Sequence, residues 1–393
     1  MNILIIPSWY PTEKSPLQGI FCKEQAEALA ACTDCNILVC DWGQNDGAVP
    51  FWHPLRALQW RIRSKSEIRN RHERFYEYFE PALIWSPRLP GGGDRRILAA
   101  MRRVYNAALR RFGRIDLLHA HVAYPCGYLT NLLAAETGVP YVLTEHMSTF
   151  PFPNLVVNGR PIQEIELAMK GARAVVAVSS GAAEKIKSFG YQRVRVIPNL
   201  VDESQFVSKP KPDGIFRFFS MGSLVRKKGF DILLRAIAQW SPEPGEVEFV
   251  IAGQGEQKME LQSLAEELGI SRVVRWVGAI SRTEAPAYFQ NCHAFVLASR
   301  KESFGVVFAE AIASGRPIIA TKCGGPEDIV NDANGMLVPV EDVPALAAAL
   351  ASMKEQYPRF KPATIREDFM RRFSRPAVTR QIRQTYEEVL DRR

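Results

Sequence analysis

Short apolar runs alternate with helix-forming stretches along almost the whole chain, and this alternation is the tightest constraint on its fold. Ile3–Ile6, Asn36–Cys40, Leu117–His119, Tyr141–Thr144, Ala174–Val178 and Val194–Ile197 read as buried strands of a first half. Phe216–Met221, Glu248–Ala252, Val273–Val277, Ala294–Ala298 and Pro317–Thr321 repeat the pattern in a second half. Helical segments such as Phe21–Ala31 and Ile97–Arg111 lie between them. Continuous hydrophobicity within a strand means that both faces are covered, which predicts parallel sheets flanked by helices. The polar, Pro-containing stretch from Pro198 to Asp213 is the one convincing linker. Two α/β domains are therefore expected, 1–200 and 201–375, with an amphipathic charged helix at about 376–393. At 393 residues the chain has length for two full cores, and two such domains facing each other make a cleft for a ligand.

Charge narrows the partners. The formal charge of +8 is concentrated in Arg56, Arg61, Arg63, Lys65, Arg69, Arg71 and Arg74, with a second run from Arg88 to Arg114. Trp52, Trp60, Phe75, Tyr76, Tyr78 and Phe79 are interleaved with or flank the first cluster. Such a segment suits an anionic membrane surface or an acidic acceptor, or is simply a solvated helical face. No nucleic-acid motif accompanies it, so nucleic acid is not an expected partner. No apolar run reaches the ~18–20 residues needed to span a bilayer. The start MNILIIPSWYP lacks a basic n-region, so the expected location is the cytoplasm, with the inner membrane face as a peripheral option. Seven cysteines, an odd number, are expected as reduced thiols; Cys32-Thr-Asp-Cys35 has no second CxxC to make a zinc site.

The segment 298–330, ASRKESFGVVFAEAIASGRPIIATKCGGPEDIV from its first alanine, carries the most chemistry. It reads as a strand end, the turn Glu302-Ser303-Phe304-Gly305, a helix over Val306–Ser314, a stop at Gly315 and a second strand. In a parallel sheet such a turn lies at the carboxyl end of the strand, where ligands bind. Glu302 and Glu310 should then hold carboxylates ~10 Å apart at ~1.5 Å per helical residue. Carboxylates acting on one bond stand ~5–9.5 Å apart, so this pair suits two hydroxyl-bearing ends of one extended ligand. Further upstream, Gly222-Ser-Leu-Val-Arg226-Lys227-Lys228-Gly229 follows a strand and opens a helix, a ready diphosphate site. Walker and dinucleotide glycine patterns are absent, which disfavours an ATPase or a dehydrogenase.

These motifs, together with IIPSWYPTEKSPLQGIFCKEQAEALA, DLLHAHVAYPCGYLTNLLA, VPYVLTEHMSTF, AVSSGAAEKI, VIPNLVD and VIAGQGE, resemble in their order the retaining glycosyltransferases of family four. The resemblance runs from about residue 1 to about 340 and is thinnest over 41–113 and the tail. It implies the GT-B fold, two Rossmann-like parallel-sheet domains facing across a cleft. The N-terminal domain would take the acceptor and the C-terminal domain the donor, with the last helix crossing back to the N-terminal domain. It implies a nucleotide diphosphate sugar donor, UDP- or GDP-linked, a saccharide or lipid-linked acceptor, and polysaccharide or glycolipid synthesis.

The same resemblance assigns roles. Lys228 holds the donor diphosphate; the family's Arg after the first glycine is Ser223 here, so the second cation is Arg226 or Lys227. Glu310 accepts the ribose hydroxyls, and Glu302 binds a hydroxyl of the transferred sugar. The amides of Phe304 and Gly305 meet a donor oxygen, and Gly253 of Gly253-Gln-Gly255 lies beside the nucleotide. His121 stands near the anomeric centre, His146 serves the acceptor or donor side, and Gly19 turns the chain over the diphosphate or acceptor. Gly324-Gly325-Pro326-Glu327 is read as a structural turn. Catalysis is expected to need no enzymic nucleophile and no cofactor. The chain has no Asp-x-Asp, so no metal is expected. Two readings of other classes stay open, a non-catalytic nucleotide-sugar binding protein and a nucleotide-sugar epimerase; a membrane adaptor built on 56–114 is more distant.

Overall fold

The computed structural model describes residues 1–12, 15–44, 65–82 and 93–391. The chain divides into two compact units. The first comprises Met1–Val178, Ala182–Leu200 and Val378–Arg393, the second Ser179–Gly181 and Val201–Ala377.

In the first unit the strands are β1 (Asn2–Pro7), β2 (Asn36–Asp41), β3 (Glu67–His72), β4 (Phe75–Phe79), β5 (Leu117–His121), β6 (Tyr141–Glu145), β9 (Ala174–Ala177) and β10 (Val194–Val196), with a two-residue hairpin β7 (Val156–Val157) and β8 (Arg160–Pro161) standing apart. The main sheet runs in the order β10-β9-β6-β5-β1-β2-β4-β3, parallel except where β3 meets β4. Side chains alternate between its faces. Ile3, Ile5, Ile37, Val39 and Leu117 pack against the helix Ile20–Cys32 and against Val378, Ile382 and Tyr386 of the last helix, Arg375–Asp391. Leu4, Ile6, Leu38, Leu118 and Ala120 pack on the other face against the helices Asp94–Phe112 and Tyr128–Thr137. Each fully buried aliphatic or aromatic side chain contributes ~1.5–3 kcal/mol, so covering both faces is what holds a sheet of this kind.

The second unit has β11 (Phe216–Met221), β12 (Val247–Ala252), β13 (Val274–Gly278), β14 (Ala294–Leu297), β15 (Ile318–Thr321) and β16 (Gly335–Val338). They form one fully parallel sheet in the order β13-β12-β11-β14-β15-β16. Order reverses around β11, whose neighbours are β12 and β14, so the loops after β11 and β14 open side by side at the carboxyl edge.

One expectation is corrected. The basic-aromatic segment is not a solvated helical face where it is described: Glu67–His72 and Phe75–Phe79 form an antiparallel hairpin whose outer strand ends the sheet. Charged side chains on an edge strand discourage pairing with another chain. Arg56, Arg61, Arg63 and Arg88 lie outside the described residues. Among the described residues no helix is long and apolar enough to cross a membrane.

Candidate active site

In the second unit the chain leaves β11 through Gly222–Val225, makes one 3-10 turn over Arg226–Lys228 and enters the helix Phe230–Trp240. Gly229 links turn and helix at φ +65°. A Cβ there would sit 1.9 Å from the Ala298 carbonyl oxygen, so only glycine lets the basic turn lie on the end of β14. That close approach carries Lys228 to the next loop, where its Nζ donates to Glu302 Oε1 at 2.6 Å. Ser299 Oγ donates to the same oxygen at 2.7 Å. Glu302 is 8% exposed, and its carboxylate is positioned by two donors before any ligand arrives.

Arg300 ties these loops together. Its backbone N–H donates to the Lys227 carbonyl at 2.8 Å and its Nη1 to the Arg226 carbonyl at 2.6 Å. The same guanidinium grips Asp231 with two bonds, 2.8 and 2.7 Å, while Nε reaches Glu341 at 2.7 Å. Lys227, one of the two candidate second cations, is half-buried. Burial lowers its pKa while the Glu302 charge works the other way. Arg226 is exposed, and its carbonyl accepts from Arg300.

The helix Val306–Ala313 starts at Gly305, φ +86°, and buries Glu310 on its inner side at 2% exposure. Arg282 Nη1 donates to Glu310 Oε1 at 3.1 Å. Burial pushes the Glu310 carboxyl up and the Arg282 charge opposes that push. Arg282 carries no sequence signal, since it sits in an ordinary polar turn after β13. Phe304 is a core side chain, packed edge-on against Phe373 with ring centres 5.7 Å apart.

The glycine turns have internal reasons. A Cβ on Gly253 would meet the Gly222 carbonyl oxygen at 2.0 Å, and one on Gly255 the Leu224 carbonyl oxygen at 2.3 Å. The close approach that demands glycine at Gly253-Gln-Gly255 is thus to the loop leading to Lys228. Gly325 lies equally tight on the Phe304 backbone at 2.3 Å, and the Glu327 carboxylate accepts from the Gly324 N–H. Glu302 N–H donates to the Cys323 carbonyl, and Gly325 N–H to that of Glu302. The 323–327 turn buttresses Glu302.

In the first unit Gly19 caps the helix Ile20–Cys32 at φ +74°, where a Cβ would lie 2.3 Å from the Trp9 carbonyl carbon. His121 ends β5 with its side chain fully buried, and its Nδ1 lies 2.9 Å from His146 Nε2 in the loop after β6. The two rings stack at 5.2 Å. His119, two residues before on the same face, is held between the Tyr386 hydroxyl at 2.6 Å and the Thr144 hydroxyl at 2.8 Å. Burial holds His121 neutral, down at about 3, and keeps His119 and His146 well below the imidazole range. Glu145 accepts from the backbone N–H groups of Ala123, His146 and Met147. Burial raises it to about 7 against the pull of those three bonds. It fixes the loop that presents His146.

Two parallel-sheet α/β units with these loops at the carboxyl edge of the second define the GT-B class of glycosyltransferases. Residues 51–205 match the family described as Glycosyltransferase Family 4, and residues 201–367 match Glycosyl transferases group 1. The chain belongs to this glycosyltransferase family. An uncharacterized glycosyltransferase of Methanocaldococcus jannaschii is 27% identical over 280 residues, 70% of this chain and 76% of that one. TuaC of Bacillus subtilis, a glycosyltransferase assigned to teichuronic acid biosynthesis, is 26% identical over 376 residues, 91% of this chain and 90% of its own. The solved structure of HepE from Anabaena, in complex with UDP, has the same fold, with TM-score 0.71 at 20% identity over 99% of this chain and 100% of that one.

Proposed function

We propose that this glycosyltransferase moves a hexosyl residue from a nucleotide diphosphate sugar, UDP- or GDP-linked, to a hydroxyl of a saccharide or lipid-linked acceptor, with retention at the anomeric carbon. The single observation that carries this reading is the Lys228–Glu302 pair at 2.6 Å, a cation and a carboxylate set side by side at the carboxyl edge of a parallel sheet. Lys228 and Lys227 meet the diphosphate, Glu302 a sugar hydroxyl, and Glu310 the ribose diol, which an ionised carboxylate can only accept from. The UDP bound to HepE supports a nucleotide donor here.

In this account the Lys228–Glu302 ion pair is exchanged on binding. Lys228 leaves Glu302 for the diphosphate, and Glu302 turns its freed oxygen to the sugar. As the bond from the anomeric carbon to the phosphate oxygen breaks, charge builds on the diphosphate, and Lys228 with Lys227 stabilises it. The acceptor oxygen bonds to the same face of the anomeric carbon, and its proton passes to the leaving phosphate oxygen. His121 and His146 are the groups of the first unit proposed to meet sugar and acceptor. Held neutral by burial, they can give or take a hydrogen bond without adding charge. The donor is identified by a thermal-shift panel of UDP-, GDP-, ADP- and dTDP-sugars, since a ligand of the folded state raises its apparent stability. One nucleotide class is expected to shift the wild type and to leave Lys228→Ala unmoved. A panel without any shift, or an equal shift in the variant, contradicts the reading.

A further inference from the structure

Cys22, His121 and His146 come from three separate places in the first unit: the first turn of the helix Ile20–Cys32, the end of β5 and the loop after β6. All three are buried, and one ligand-capable atom of each lies within 4.8 Å of the other two. Their separation in sequence hides the cluster, for they form no short motif. A neutral imidazole pair has two nitrogen lone pairs and two N–H groups, and the His121–His146 hydrogen bond engages one of each. The remaining nitrogens, His121 Nε2 and His146 Nδ1, are buried without a hydrogen-bond partner. A buried polar group left unpaired is destabilising, so the cluster holds binding capacity that the protein itself does not use.

Donor type selects the ligand. One thiol and two imidazoles, with the nearby Glu145 oxygens occupied by backbone N–H groups, make a nitrogen–sulfur set suited to zinc and unsuited to magnesium or manganese. In a tetrahedral zinc site, bonds of ~2.0–2.1 Å to nitrogen and ~2.3 Å to sulfur place the ligand atoms ~3.3–3.6 Å apart. The three ligand-capable atoms lie within 4.8 Å of one another, so shifts on the order of 1 Å bring them to that spacing. The rings are already packed: His119 lies against His121 and Phe21 against His146, each tilted with ring centres 4.3 Å apart. His119 is fixed in turn by Tyr386 and Thr144.

We propose that Cys22, His121 and His146 form a zinc site whose occupation switches sugar transfer off by engaging His121. Cys22 releases its thiol proton to solvent, both imidazoles turn a lone pair to the ion, and the hydrogen bond between them is given up. Three protein ligands leave the fourth position open. The inhibitory half of this proposal rests on the transfer reading above, whereas the site itself does not.

The test is a cobalt(II) titration of the metal-free protein, followed by absorption. Thiolate-to-cobalt charge transfer saturating at one equivalent, displaced by zinc and not by magnesium, is the expected result. Cys22→Ser and Cys22→Ala lose that band and bind cobalt at least about tenfold more weakly, while Cys32→Ser keeps it; a melting curve shows that whichever Cys22 variant is used has folded. Absence of the band, or its survival in both folded Cys22 variants, overturns the site. In a second arm zinc is added to an assay of donor turnover. Inhibition of wild type but not of a Cys22 variant with unchanged basal turnover supports the switch, and equal inhibition of both removes it. Failure of the transfer reading shows as no turnover in any protein and leaves the cobalt result standing by itself.

Discussion

Replacing Glu302 by glutamine should move nucleotide binding and sugar transfer in opposite directions. The glutamine keeps the shape and can still accept from Ser299, now 2.7 Å from the carboxylate, but it cannot hold the Lys228 ammonium, now 2.6 Å away, as an ion pair. The two side chains are 7% and 21% exposed, so the pair lies between a surface bridge and a fully buried one. After desolvation is counted, a pair so placed is worth ~1–2 kcal/mol net. UDP has no sugar to offer Glu302 and must draw Lys228 away from it. Removing the competitor should tighten UDP binding by roughly 5–30-fold. Transfer should fall, because the variant loses a charge-assisted hydrogen bond to the sugar worth ~1.5–3 kcal/mol, or roughly 10–150-fold in kcat/KM. Calorimetric titration with UDP and initial rates with the matching UDP-sugar measure the two effects; if the donor panel selects GDP, GDP takes its place. Parallel weakening of both, or no change in the nucleotide dissociation constant, refutes the exchange of partners at Lys228.

Arg300→Ala should release the Lys228 turn from the Glu302 loop, weakening nucleotide binding about tenfold and lowering stability by ~1–3 kcal/mol. Arg300→Lys should not restore either, because lysine cannot make the bidentate contact with Asp231; full rescue in a titration and a melt rules the clamp out. Acid should destabilise the first unit through its buried imidazoles. Folded His121 is held at about 3 against an ordinary 6.5, so its contribution is complete above pH 6.5 and drains away below it, at ~1.4 kcal/mol per pH unit. Glu145 works the other way: raised to about 7 from 4.5, its contribution is present below 4.5 and lost as pH rises through 7. Three depressed imidazoles outweigh one raised carboxyl, so urea midpoints should fall from pH 7 to pH 5, and His146→Gln should make that fall shallower; an unchanged slope contradicts the buried neutral pair. EDTA should not lower transfer, and rescue of an EDTA-inactivated enzyme by magnesium or manganese would overturn the metal-independent mechanism.

The alternation of strands and helices was legible because a strand covered on both faces is written as one unbroken apolar run. Glu302, Phe304, Gly305 and Glu310 were legible because one strand–turn–helix unit presents them in a single linear segment. The hairpin β3–β4 was not, since its outer strand, Glu67–His72, is charged and edge-placed and shows no apolar run. β16 is short, and it follows Asn334 with a glycine. Arg282 and Arg300 act through contacts 28 and 69 residues away in sequence, which no local spacing encodes. Between Arg226 and Lys227 the motif states no preference; the 3-10 turn leaves Arg226 exposed and Lys227 half-buried. Gly253 has a reason inside the fold that a GxG spacing does not reveal, since a Cβ there would collide with the carbonyl oxygen of Gly222.

The central claim, transfer with retention from a nucleotide diphosphate sugar, is tested most directly by proton NMR of the reaction. The donor selected by the binding panel is incubated with the enzyme and a pool of saccharide and lipid-linked acceptors, and the anomeric signals are followed. The account predicts a new glycosidic linkage with the anomeric configuration of the donor, dependent on acceptor and absent with Lys228→Ala. A product of inverted configuration, or conversion of the donor sugar with no acceptor present, would contradict it.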